Sequence, residues 1–71
     1  LGMDPDLAEA ARLFRQGCDG GAARGCTGLG FLHHQGLGMD PDLAEAARLY
    51  RQGCDGGLAI ACDQLKRLGE E

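Results

Sequence analysis

Four cysteines are the most reactive side chains in this 71-residue sequence, at positions 18, 26, 54 and 62. Cys18 and Cys26 stand eight residues apart, and Cys54 and Cys62 repeat that step 36 residues later. Such a set suits disulfide bridging, thiolate binding of a metal, or burial as inert thiols. Structural zinc usually takes ligands two to four residues apart in paired clusters, and an eight-residue step is not that pattern. The only histidines, His33 and His34, are adjacent. On a helix they point about 100° apart, whereas a shared ion wants i and i+4. No metal and no cofactor is expected. The chain has no serine, so a serine nucleophile is excluded and no catalytic residue is assigned. The string Gly25-x-x-Gly28-x-Gly30 has the outline of a nucleotide loop, but no strand precedes it and it carries no weight.

The elements that position these groups come from an internal repeat. Residues 1–21 and 37–57 agree at 20 of 21 positions, with Phe14 facing Tyr50 as the exception. Residues 22–35 and 58–71 diverge, sharing alanine at 23/59, cysteine at 26/62 and leucine at 29/65 and 32/68. Those shared positions follow helical spacing and mark one retained buried stripe. Within the first unit, apolar residues at 7, 10, 11, 14 and 18 make an amphipathic helix, with Glu9, Arg12 and Gln16 on another face. Asp4-Pro5-Asp6 and Asp40-Pro41-Asp42 open the first helix of each unit, with either aspartate able to cap. Asp19-Gly20-Gly21 closes it. The expected helices run roughly over 5–18, 22–34, 41–54 and 58–68. Gly25 and Gly30 are read as close helix approaches; nothing in the sequence accounts for Gly28.

Composition agrees. There are 13 glycines, 10 alanines and 11 leucines, with no valine and only Thr27 and Ile60 β-branched, which disfavours a sheet. The formal charge of −4 with scattered basic residues argues against nucleic-acid or anionic-membrane partners. No apolar run reaches a membrane span. Residues 1–71 are expected to form a single all-α domain, an α/α superhelix (solenoid) of two antiparallel helix pairs. In each hairpin the two cysteines are equidistant from the turn, four residues either side of Ala22 or Leu58, and so face each other. Bridges Cys18–Cys26 and Cys54–Cys62 are expected, at Cα separations of about 5.5–6 Å. On the chain-entropy estimate each contributes about 2.5 kcal/mol.

The stretch from Leu29 to Gly57 resembles the Sel1-like repeat of the TPR-like superfamily. Gly36, Gly38, Asp42, Ala46, Tyr50 and Gly57 fall on its pattern, while Met39 replaces a valine and Leu49 a tryptophan. Cysteine at 54 and 62 is similar to the disulfide-bridged branch typified by the Helicobacter cysteine-rich proteins. His33 departs from the usual tyrosine and Lys66 from the usual glycine.

The resemblance implies a non-catalytic interaction or scaffold module with a protein or peptide partner on the concave face. Arg24, Thr27, Phe31 and His34 are the candidate contacts, at helical spacing opposite the shared stripe. It also raises a β-lactam-binding or weakly β-lactamase-like protein as an alternative, against which stands the missing Ser-x-x-Lys motif. A further alternative is an engineered or recently duplicated repeat without a ligand of its own. Paired cysteines imply a secreted or periplasmic setting. Leu1-Gly2-Met3 matches the inter-unit loop Leu37-Gly38-Met39, so the chain is expected to be the C-terminal fragment of a longer solenoid. Its N-terminal end would then be uncapped and open to self-association. Asp63, Gln64, Lys66, Arg67, Glu70 and Glu71 make the last helix polar, as a terminal cap requires.

Overall fold

The computed structural model describes residues 6–70 and contains four α-helices, with no strand among those residues. They are α1 (Leu7–Asp19), α2 (Ala23–Gln35), α3 (Leu43–Asp55) and α4 (Ala59–Glu70). Each packs on the next in chain order, giving a slab of 35 × 29 × 16 Å. The chain is all-α, and adjacent helices are in contact as a helical-repeat fold requires.

The helices start later than expected. The sequence pattern puts Pro41 in the first turn, but α3 begins at Leu43. Asp42 is its cap: the side chain accepts a hydrogen bond from the Glu45 amide at 3.0 Å. A cap needs extended rather than helical backbone, and Asp42 has φ −149° and ψ 94°, which holds Pro41 outside the helix. Asp6 occupies the same place before α1 yet makes no side-chain cap bond. The expected start at residue 5 lies outside the described residues. At the other ends the helices run one to two residues past the expected limits, with α4 reaching Glu70 rather than 68.

Both hairpin turns are built alike. Gly21 and Gly57 take the left-handed conformation (φ 94° and 98°), and amides of Ala22 and Leu58 donate back to the carbonyls of Gly17 and Gly53 at 2.8 and 3.1 Å. The helices that leave these turns approach closely. A Cβ at Gly25 would lie 2.6 Å from the Cys18 nitrogen and 2.7 Å from the Phe14 carbonyl oxygen, so only glycine fits. At Gly30 a Cβ would come within 3.0 Å of the Tyr50 ring. Gly28, unexplained from sequence, has the same reason: a Cβ there would sit 2.7 Å from the Phe14 ring.

The core lies between α2 and α3. Leu29, Leu32 and Leu49 form its cluster, joined by Leu7, Ala11, Phe14, Cys18, Leu37 and Met39 at partial burial. Tyr50, Ala46 and Ala61 are wholly enclosed. No residue of α1 is fully buried.

Candidate functional site

The cysteines pair within each hairpin, Cys18 with Cys26 and Cys54 with Cys62, and none is free. Their Cα separations are 4.4 and 4.6 Å, shorter than the expected 5.5–6 Å. Small residues beside each bridge explain this: Gly17 and Gly25 meet in the first hairpin, Gly53 and Ala61 in the second. Each bridge ties a helix to its successor next to the turn and so fixes the angle of the hairpin. No group of three or more His, Cys, Asp or Glu among the described residues is arranged to hold a metal ion.

Across the two hairpins runs a groove of about 290 Å³ to which all four helices contribute. Its walls are Phe14 of α1, Thr27, Gly28 and Phe31 of α2, Tyr50 of α3, and Ile60 and Gln64 of α4. Phe31 and Ile60 are 46% and 56% exposed, large apolar surfaces left facing solvent. The missing side chain of Gly28 leaves room for the Phe14 ring beside α2, and both residues line the groove. The Thr27 hydroxyl donates to the Ala23 carbonyl at 2.8 Å, which leaves its methyl as the group best placed for contact. The lining is therefore mostly carbon, with the Gln64 amide as its polar handle.

Of the four residues singled out on this face, two line the groove and two do not. Thr27 and Phe31 are in the wall; Arg24 and His34 are not. Arg24 is exposed. His34, a candidate partner contact, is instead half-buried against Tyr50: the rings meet edge to face at 6.0 Å, and His34 Nδ1 stands 3.3 Å from the Tyr50 hydroxyl. An unprotonated Nδ1 lets that buried hydroxyl donate, which is what it needs once out of water. Burial raises the Tyr50 phenol above its ordinary pKa. His33 is also half-buried, and its two ring nitrogens have no partner among the described residues.

Phe14, Gly28, Tyr50, Ile60 and Gln64 were not singled out for this face. A signal for two of them was present, since Ile60 faces Arg24 and Gln64 faces Gly28 in the half of the repeat that diverged. At the start of α3, Glu45 is bound by Arg48, whose Nε donates to Oε1 at 2.9 Å and whose Nη2 donates to Oε2. That bond holds the Glu45 carboxyl below the usual range against the opposing effect of partial burial, with Arg48, His33 and Arg15 adding charge attraction. This pair buttresses the helix start and does not reach the groove.

The chain matches the family described as Sel1 repeat over residues 1–21 and 23–58. No curated protein and no solved structure matches it. The family match runs across α1 and then from the start of α2 through α3 to the second turn, so it takes in the packing of one hairpin against the next. The two bridges fit the cysteine-rich branch. Both the match and the helical architecture lead to one conclusion: this chain belongs to the Sel1 repeat family.

Proposed function

We propose that the chain is a non-catalytic protein-interaction module that works in an oxidising compartment, secreted or periplasmic, and takes a short peptide segment in the groove between its hairpins. The observation that carries this is the open apolar wall of Phe31 and Ile60 beside the Phe14 and Tyr50 rings. Interaction through a repeat surface is the common role of Sel1 repeats, and a solenoid's divergent positions are where partner choice is written. A large apolar side chain of the partner would enter between Phe31 and Ile60, and the Gln64 amide would meet its backbone. The bridges hold the groove open without a large core, as small domains in oxidising compartments require.

The test is binding of fluorescent peptides with a central Leu, Phe or Trp to the oxidised protein, followed by anisotropy. Phe31→Ala and Ile60→Ala should each weaken the selected peptide about tenfold or more, the scale of an interface hot spot. Far-UV circular dichroism should stay unchanged. Affinity indifferent to both substitutions would remove the groove as the binding site. Loss of helical signal in Phe31→Ala would place that ring in the core instead.

A further inference from the structure

The bridges tie α1 to α2 and α3 to α4, so the joint between α2 and α3 is the one between successive described helices that carries no covalent tie. Backbone bonds close it instead. Gly36 ends α2 in the left-handed conformation (φ 69°), and the Leu37 amide donates to the Leu32 carbonyl at 3.0 Å. The Asp42 amide donates to the His33 carbonyl at 2.9 Å, which joins the cap of α3 to the last turn of α2.

The His33 side chain sits at this joint with its hydrogen bonding unmet. Both ring nitrogens are shut off from water, and neither has a partner among the described residues. A neutral imidazole presents one N–H and one bare nitrogen, so a donor and an acceptor go unpaired together, each at a desolvation cost. A proton turns the ring into two donors with a positive charge, and one carboxylate can then serve it.

The charges that meet at the joint are Glu45 and Arg48 from α3, Arg15 from α1, and Asp40 and Asp42 from the linker. His34, the neighbour on α2 itself, turns to Tyr50. Among the carboxylates, Asp40 is exposed and Asp42 is engaged with the Glu45 amide. Glu45 is half-buried and within charge reach of His33. Arg15 and Arg48 oppose a further positive charge, but both are exposed and water screens their repulsion. We infer that the joint locks in acid: His33 takes up a proton, the charged ring takes Glu45 as its partner, and the end of α2 is pinned to the start of α3. Glu45 stays a carboxylate in mild acid because its bond to Arg48 holds its carboxyl below the usual range. Its two oxygens have lone pairs for both cations, so Arg48 keeps its bond.

Proton uptake is thereby coupled to closing the joint, and acidification should favour the wild type over a chain without the ring nitrogens. The test is a double-mutant cycle of His33→Phe and Glu45→Gln, read by urea denaturation of the oxidised protein at about pH 7.5 and about pH 5.5, either side of the imidazole range. The coupling between the two residues should be negligible at the higher pH and about fivefold or more in the folding equilibrium at the lower. His33→Phe fills the ring's place without its nitrogens, so near pH 7.5 it should be at least as stable as the wild type. Coupling that is equal at both pH values or absent in acid would overturn the inference. So would a wild type that loses ground to His33→Phe on acidification, or a clear loss in that variant near pH 7.5. If His33→Phe does not fold, ring ¹⁵N spectra carry the test: His33 should take up its proton at lower pH in Glu45→Gln than in the wild type, and coincident curves would overturn it. Peptide binding in the groove enters none of these readings.

Discussion

Helices α1 and α3 are the same thirteen residues apart from one aromatic, yet they live in different surroundings. In α3, Ala46, Leu49, Tyr50 and Gly53 are buried because α2 packs on one side and α4 on the other. In α1 the corresponding Ala10, Leu13, Phe14 and Gly17 are not buried, because α2 is the neighbour it packs on. Local sequence makes both segments helical and amphipathic. What sits beside them decides how much each contributes to the folded state, as nearest-neighbour energetics predict for a solenoid. The single substitution follows the same logic. Tyr50 has His34 as a partner for its hydroxyl, whereas Phe14 is partly exposed and carries no hydroxyl to satisfy.

The largest expected contrast is therefore between matched truncations. Leu49→Ala should cost about 2–5 kcal/mol, since it empties the centre of the core, while Leu13→Ala should cost under about 1 kcal/mol. Urea denaturation reads both, and equal losses would break the contrast. The bridges should show less asymmetry. Both close loops of the same length, so replacing either cysteine pair by alanine should cost about 2.5 kcal/mol on chain entropy alone. A much larger loss at Cys18–Cys26 would mean that α1, which packs mainly on α2, depends on its bridge more than α3 does.

Tyr50→Phe makes α3 identical to α1 and should cost about 0.5–1.5 kcal/mol near neutral pH, the range for one hydrogen bond. It should also change the alkaline behaviour. The Tyr50 phenol is raised in the folded state, so folding holds its proton longer than the unfolded chain does. Its contribution is complete below the ordinary phenol value near pH 10 and declines as pH climbs toward the raised one. Tyr50→Phe should flatten that decline, and an unchanged alkaline slope would show that the hydroxyl is not the group responsible. The smallest contrast is at the caps. Asp42→Ala should cost about 1 kcal/mol because it frees the Glu45 amide, and Asp6→Ala should cost close to nothing because no cap bond is lost. Similar losses at both would mean that the two helix starts are alike in solution.

Much of this was legible in the residues. The 36-residue repeat, the helical apolar stripe and the paired glycines at each turn all follow from spacing, because helix and turn formation are local. The position of the cysteines either side of each turn implied the pairing for the same reason. Gly28 was opaque, since its justification is the Phe14 ring arriving from another helix. The role of His34 was equally hidden: helical spacing puts it on the Phe31 face, but Tyr50 draws it into the packing between α2 and α3. The groove takes one to three residues from each helix, and only the assembled stack brings Phe14 and Ile60 to the same wall. Asp42 rather than Asp40 as the cap depended on a backbone angle that composition does not reveal.

That equal sequences are made unequal by their neighbours is tested most directly by native-state amide hydrogen exchange at matched positions. Amides around Leu49 and Tyr50 should open only with global unfolding and exchange about 100-fold more slowly than those around Leu13 and Phe14, which should open by local fraying. Equal protection in α1 and α3 would contradict the account, because it would make sequence rather than position the source of the difference.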